Sequence, residues 1–312
     1  MTVEEYMQHW GPYKEFGKEM IHGWCSRTNW DDGKSWDRDF HWRDKLCFLE
    51  DEIDGLDAYS ILNDDAQISV LLAMNGLEAD EKDIFRNAEY PVVISSHIDT
   101  VQEGEGEGIT LPFCRFTKKG YIHGTLDNGI TNALCELGIF ERMFSPAVAV
   151  AYTGDEEKND HGAKEVAEYV MRTCTNAKKI TFITLDVTFD DAWKKAAFTV
   201  ENDFLPFGSE DSRKLIDTCN TLGEWRYKPA KEDEFPGYLP KKCRLYGEGA
   251  PDESVAYHEC CPDARVFSIC LPTNDSEDKV NMHTDRGIKA RESDFRTYMH
   301  AVVEIANMFA KG

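Results

Sequence analysis

The sequence predicts a single α/β domain in which a mixed, mostly parallel sheet carries helices on both faces. Three observations predict it: a chain of 312 residues with 41% hydrophobic residues, recurring short apolar runs, and helical patterns between those runs. A chain of this length buries roughly three quarters of its unfolded surface, enough for one large core. Alternating strands and helices are typical of a parallel sheet between two helical layers.

Five short apolar runs are the predicted strands. They lie at 66–74, 91–96, 147–152, 179–185 and 265–271. Each run is nearly continuous in apolar and β-branched residues, which is typical of strands covered on both faces. In sheets of this kind ligands bind at the carboxyl ends of the strands. The residues that follow each run are therefore the first candidates for a site.

Helical spacing of apolar residues predicts helices over 128–143, 163–172 and 293–309. Residues 1–60 mix aromatic and charged side chains, and we expect them to form a helical extension packed on the domain. The chain shows no internal repeat and no low-complexity linker. One domain is therefore expected to span 1–312, with 1–60 as its extension.

The charge balance narrows the class of partner. Asp and Glu number 58 against 35 Lys and Arg, a net charge of −23. Such a surface repels phosphate backbones and anionic lipid, so we expect neither nucleic acid nor membrane as a partner. No signal peptide is visible at the start, and the 10 cysteines form no Cys-x-x-Cys pair. We expect reduced thiols in a cytoplasmic protein; the oligomeric state stays open.

Acidic and imidazole side chains follow the predicted strands, or the segment Lys118–His123, in a fixed order. They are His97, Asp99, Asp127, Glu156, Glu157, Asp186 and His283. Each has an ordinary explanation by itself: an Asp-Asn-Gly segment is a turn or a helix cap, and acidic residues suit the start of a helix. As a set placed around one sheet, these residues are an inventory of metal ligands.

The motifs that carry these residues resemble those of the co-catalytic dinuclear zinc exopeptidases. They read Ser96-His97-Ile98-Asp99, Leu126-Asp127-Asn128-Gly129, Gly154-Asp155-Glu156-Glu157, Leu185-Asp186-Val187 and Met282-His283-Thr284. The resemblance runs from about residue 66 to the end of the chain. It implies a phosphorylase/hydrolase-like fold, two divalent metal ions of which Zn²⁺ is the expected kind, and an aminopeptidase that hydrolyses short peptides.

The resemblance also implies a role for each ligand. Asp127 bridges the two metal ions, His97 and Asp186 complete one of them, and Glu157 and His283 complete the other. A bridging group has to be a carboxylate, because two anionic oxygens can be divided between two cations. Cations roughly 3.5–4 Å apart can then share both that carboxylate and a water.

Two further carboxylates have catalytic roles by the same resemblance. Glu156, which precedes a ligand without being one, is the expected general base that takes the proton of the attacking water. Asp99 is expected to hold the imidazole of His97, because a metal-bound histidine usually has its second nitrogen fixed by a carboxylate or carbonyl.

Spacing favours one branch of the family. His97 and Asp127 are 30 positions apart, and Asp186 and His283 are 97 apart. Relatives that form hollow assemblies insert a β-domain in the first interval, and lid-bearing relatives insert a dimerisation domain in the second. The best match is the compact, bacterial leucyl-type aminopeptidase branch, although the run Ser95–Val101 is closer to the lid-bearing aminoacylases and carboxypeptidases.

Alternatives stay open at this point. The scaffold also suits a related metal-dependent amidohydrolase, namely a deacylase, a carboxypeptidase or a glutaminyl cyclase-like enzyme, and a catalytically inactive relative. The segment before the fifth strand is where the family places specificity residues. Asp252, Glu253 and Tyr257 are therefore predicted members of a substrate pocket.

Overall fold

A computed structural model places the metal-ligand candidates within an α/β architecture. It describes residues 18, 20–23, 25, 30–31, 58–62, 68–73, 81–101, 113–127, 129–157, 159–189, 195–202, 204–205, 208–229, 252–274 and 287–312.

An eight-stranded mixed sheet forms the centre of the described structure. In spatial order its strands are β11 (Trp225–Pro229), β10 (Phe198–Asn202), β12 (Arg265–Thr273), β9 (Thr181–Phe189), β4 (Val92–His97), β8 (Val148–Thr153), β3 (Ile68–Ala73) and β2 (Ala58–Leu62). The central strands β12, β9, β4 and β8 are parallel. β3 and β10 run antiparallel to their inner neighbours. The mixed, mostly parallel sheet predicted from the sequence is confirmed.

Two smaller β structures adjoin this sheet. An antiparallel sheet has the order β13 (Ile288–Arg291), β7 (Tyr121–Gly124) and β6 (Cys114–Phe116). A short parallel pair joins β1 (Trp30–Asp31) to β5 (Thr100–Val101). β7 leads directly to Asp127, so the small sheet positions one of the predicted ligands.

Helices cover both faces of the central sheet, as predicted. One face carries α2 (Gly129–Phe140), α4 (Glu210–Leu222) and α6 (Glu292–Phe309), and the other carries α1 (Glu81–Asn87), α3 (His161–Thr173) and α5 (Glu253–Cys260). Alternation along the strands divides the core: Val92 and Ile94 point to the first face, whereas Val93 points to the second. The sheet is therefore apolar on both sides.

The predicted strands and helices correspond to β3, β4, β8, β9 and β12, and to α2, α3 and α6. The predicted end of β9 is wrong. We expected Asp186 to follow the strand, but it lies inside it and pairs with Cys270, and the ladder continues to Phe189. β12 supplies a hydrogen-bonding partner along this whole length, which outweighs the polar interruption. Short polar strands such as β11 carry too few apolar residues to be recognised.

The interval between Asp186 and His283 bears on the choice of branch. Its described elements are β10, α4, β11, α5 and β12, all of which belong to the central sheet or pack on it. The residues described in this interval thus build the main domain.

Part of the N-terminal extension also packs on the domain. Met20, Ile21 and Cys25 are buried with the core of the first face. The hydroxyl of Thr125 donates to the carbonyl of Cys25 at 2.6 Å. Most of the extension lies outside the described residues, and its predicted boundary at residue 60 falls within β2.

Of the eight cysteines that the structure describes, seven are buried. Among the described residues, no helix combines the length and apolar character needed to cross a membrane.

Candidate metal centre

Five of the predicted ligands and catalytic residues meet at one edge of the sheet, which we call the metal edge: His97, Asp127, Glu156, Glu157 and Asp186. One ligand atom from each of His97, Asp127 and Asp186 lies within 4.8 Å of the others, and the same holds for His97, Glu156 and Glu157. His97 ends β4, Asp127 follows β7, and the glutamates follow β8. His283 lies outside the described residues.

The imidazole of His97 is held in one orientation. Its Nδ1 lies 2.9 Å from the backbone carbonyl of Asp99. Because a carbonyl only accepts, this contact places a proton on Nδ1 and leaves Nε2 as the ligand atom of the neutral ring. Nε2 is 3.5 Å from an oxygen of Glu156. The amide of Asn132 donates to the His97 carbonyl at 3.0 Å, so the backbone is fixed as well.

Asp99 contacts both His97 and the turn that carries the glutamates. Its carboxylate is 3.5 Å from Nδ1 of His97, farther than its own backbone carbonyl. The two carboxylate oxygens instead accept the backbone N–H groups of Glu156 and Glu157, each at 3.3 Å. Asp99 therefore joins the end of β4 to the turn after β8, with its carbonyl and carboxylate beside the histidine and its carboxylate also accepting from the backbone of the glutamates.

The turn that presents the glutamates contains a left-handed residue. Asp155 has φ 63°, a conformation that aspartate tolerates better than most side chains. Its carboxylate lies 2.5 Å from Nδ1 of His161 and accepts from the Asn159 amide at 3.2 Å. These contacts fix the turn.

Charge is concentrated at the metal edge. Burial raises the pKa of Asp186 well above its usual value, and the charge of Asp127 raises it further. Burial and nearby carboxylates raise the pKa of Glu156 in the same way, against the opposing effect of His97. Burial lowers the pKa of His97, but Glu156, Asp99 and Asp127 outweigh it and hold that pKa well above its usual value.

This donor set fits a divalent cation. Several carboxylates surround one imidazole and repel one another. Without a cation, protonation of a carboxylate reduces this repulsion, and a bound cation would reduce it instead. Imidazole together with carboxylate is the ligand combination of catalytic zinc sites and of related transition metals. Asp127 is 3% exposed, so its two oxygens face the interior of the site rather than bulk water.

Two of the three predicted pocket residues, Glu253 and Tyr257, do not line an open surface, whereas Asp252 is partly exposed. Tyr257 is 0% exposed and Glu253 2%. Glu253 accepts hydrogen bonds from Ser95, at 2.8 Å, and from Thr153. Asp252 caps α5 by accepting the N–H of Ser254 at 2.8 Å. The structure places Glu253 and Tyr257 behind the strands, where their polar atoms bind protein groups, which differs from the expected contact with substrate.

A layer of hydroxyl groups that was not predicted from the sequence lies between α5 and the strands β4, β8, β9 and β12. We call it the hydroxyl layer; its members are Ser95, Thr153, Thr184, Ser268 and Tyr257. Thr184 and Ser268 hydrogen-bond each other at 2.6 Å, and both contact the carboxylate of Asp252. A signal was present in the sequence, since each strand hydroxyl interrupts or ends an apolar run.

Comparison with known proteins agrees with the motifs. The sequence model of peptidase family M20/M25/M40 matches residues 93–296, which is more than half of the chain. The chain belongs to this family. It is therefore a peptide hydrolase of the kind that the metal-ligand motifs indicated, and the resemblance to the metallo-exopeptidases is confirmed. A search of the curated proteins found no match to the sequence.

Solved structures share the fold of this M20/M25/M40 member. A TET aminopeptidase from a marine sediment Thaumarchaeota archaeon is 9% identical, with a TM-score of 0.61 over 96% of this chain and 99% of that one. An aminopeptidase from Desulfurococcus kamchatkensis is 10% identical, with a TM-score of 0.57 over 96% of each chain. The LapA aminopeptidase of Legionella pneumophila is 12% identical, with a TM-score of 0.55 over 99% of this chain and 74% of that one.

Proposed function

We propose that this protein is a zinc-dependent aminopeptidase that releases amino-terminal residues from short peptides. The observation that carries the proposal is the convergence of His97, Asp127, Asp186, Glu156 and Glu157 at one sheet edge, with ligand atoms within 4.8 Å in two overlapping groups. Membership in a peptidase family supplies the reaction class. The fold shared with three aminopeptidases supports the amino-terminal preference.

The donor set divides between two cations. His97 and Asp186 would hold one, Glu157 and His283 the other, with Asp127 shared between them. The close group formed by His97, Asp127 and Asp186 supports the first half of this assignment. When bound, a pair of divalent cations polarises the scissile carbonyl and lowers the pKa of a shared water toward about 7.

Glu156 is the proposed general base. It takes one proton from the attacking water as the carbon–oxygen bond forms, and it delivers that proton to the amine as the carbon–nitrogen bond breaks. Its position is fixed through the backbone, because Asp99 accepts its N–H. Its side chain is 14% exposed, so the carboxylate is reachable from solvent while remaining beside His97.

Acidity supports recognition of an amine. A net charge of −23 and the carboxylates of the metal edge attract the ammonium group of a free peptide and repel a terminal carboxylate. The lack of a Cys-x-x-Cys pair in the sequence and the burial of most described cysteines support a reducing, cytoplasmic setting. The described elements between Asp186 and Thr273 support the compact branch, since they build the central sheet.

The test is an assay of the purified protein loaded with Zn²⁺ or Co²⁺, using matched peptides with free and acetylated amino termini. We expect release of the first residue from the free peptide only, and loss of activity after chelation. Cleavage of acetylated peptides, or release from the carboxyl end, would replace the proposal with a deacylase or carboxypeptidase. Cyclisation of amino-terminal glutamine would indicate a cyclase, and no turnover with two bound metals an inactive relative.

A further inference from the structure

A carboxylate that takes no part in the proposed chemistry lies buried behind the metal edge. Glu253, the first residue of α5, is 2% exposed. Burying a carboxylate is unfavourable unless its oxygens accept hydrogen bonds. The groups that satisfy Glu253 therefore indicate what this residue does for the fold.

Its two oxygens bind two neighbouring strands. Oε2 accepts from the hydroxyl of Ser95 at 2.8 Å, and Oε1 accepts from the hydroxyl of Thr153. Ser95 lies on β4 two residues before His97, and Thr153 ends β8 three residues before Glu156. Thr153 is also the register partner of His97 across the parallel pair. A single side chain thus spans β4 and β8 at the level where each strand delivers a residue of the metal edge.

The hydrogen bonds run in one direction. The Tyr257 hydroxyl donates to Ser95 at 2.8 Å, so the Ser95 proton is directed to Glu253. The ring of Tyr257 is itself fixed by stacking on Phe182, with centroids 4.3 Å apart. An ionised carboxylate accepts at both oxygens and donates at neither, so this arrangement has a single consistent orientation.

We propose that Glu253 is a positioning residue for the metal edge: its carboxylate clamps β4 to β8 and so fixes His97 relative to Glu156. The inference rests on the proposed function, because it assigns the clamp to the same metal centre. We expected Glu253 to contact substrate. The proposed role is instead indirect, because the side chain acts on the metal edge through β4 and β8.

The principal variant is Glu253→Gln, which keeps the shape of the side chain and replaces one acceptor by an N–H₂ donor. One strand hydroxyl then loses its acceptor, and the clamp opens on that side. Because groups that orient metal ligands typically contribute 10–100-fold to metal affinity or activity, we expect Co²⁺ to bind at least about tenfold more weakly. The visible absorption of bound Co²⁺ should change, since it reports ligand geometry. At saturating metal, kcat should fall while KM stays within about twofold, since Glu253 does not touch substrate.

A matched control is Thr273→Val. Thr273 is also a fully buried strand hydroxyl, but it donates to the carbonyl of Thr188 at 3.3 Å, away from β4 and β8. This variant should bind Co²⁺ with the affinity and spectrum of the parent protein. Glu253→Asp restores the charge on a shorter side chain, and we expect an affinity between those of Glu253→Gln and the parent.

The clamp is overturned if Glu253→Gln folds and binds Co²⁺ with unchanged affinity and spectrum. If that variant does not fold, Ser95→Ala and Thr153→Val each remove one side of the clamp and are judged by the same criteria. Metal binding separates this inference from the proposed function: a parent protein that binds two Co²⁺ but cleaves no peptide refutes the aminopeptidase, while the comparison of affinities still decides the clamp.

Discussion

At the metal edge several carboxylates gather around the imidazole of His97, whereas one layer deeper hydroxyl groups donate to the carboxylates of Glu253 and Asp252. In the first arrangement, burial and then neighbouring carboxylates raise the pKa of Asp186 and Glu156. In the second, O–H donors from β4 and β8 satisfy Glu253. Similar acidic side chains thus serve different purposes according to what surrounds them.

The difference between the two layers is useful for catalysis. A metal centre needs ligands that repel one another without the cation, because that repulsion is released when the cation binds. It also needs ligands held in place before binding. The hydroxyl layer supplies the second property, since its hydrogen bonds do not depend on a metal.

The largest effect is expected for Glu156→Gln. Removing a general base typically lowers kcat by about 10²–10⁴-fold. Glu156 is not a proposed ligand, so bound metal should remain near two equivalents. Peptide hydrolysis and metal analysis by mass spectrometry check the two statements on one preparation. Loss of metal along with activity would show that Glu156 is a ligand and that the base lies elsewhere.

Asp127→Asn should abolish the sharing of one group by two cations. An amide has a single neutral oxygen to offer, so we expect bound metal to fall from two equivalents to one or fewer, with activity lost as a consequence. Titration with Zn²⁺ followed by calorimetry measures this. Two cations bound with parental affinity would contradict the bridging role.

Asp99→Asn should have a smaller effect, about 10–100-fold on kcat, as is usual for groups that orient ligands. The backbone carbonyl that holds His97 is unchanged, but one of the two acceptors for the N–H groups of Glu156 and Glu157 is replaced by a donor. We therefore expect metal content to be retained. A variant that loses metal but keeps kcat would place the role of Asp99 on the histidine alone.

The remaining prediction concerns the pH dependence of stability in the metal-free protein, which acts through the hydroxyl layer and not through catalysis. Burial raises the pKa of Glu253 from 4.5 to about 7. Between these values the folded protein binds more protons than the unfolded chain, so this group's contribution to stability is full below pH 4.5 and declines up to about pH 7. The slope is at most about 1.4 kcal/mol per pH unit. The free energy of unfolding of the parent protein and of Glu253→Gln can be measured by denaturant unfolding with chelator between pH 4.5 and 7. The difference in pH dependence between the two proteins gives the contribution of Glu253, and an equal pH dependence would refute the prediction.

Much of the metal edge could be predicted because its signals are local. His97 ends β4 and the glutamates follow β8, and these parallel strands bring their carboxyl ends to one edge. Asp127 follows β7 of the small antiparallel sheet. Asp186 was assigned to the same edge although the predicted end of β9 was wrong, since a displacement of a few residues keeps a side chain near the strand end. For Glu253 the sequence was misleading. Its acidic side chain and its place before β12 suggested a substrate pocket, but its hydrogen bonds to Ser95 and Thr153 hold it in the interior.

The sequence by itself determined the fold class, the reaction family and the order of the acidic motifs, because apolar periodicity and ligand type are properties of short segments. Only the tertiary structure decided which carboxylates face one another and which are satisfied by hydroxyls. Ser95 and Thr153 are 58 positions apart, and both are 100 or more from Glu253. Contacts at that separation depend on strand register and helix packing, which no local pattern specifies.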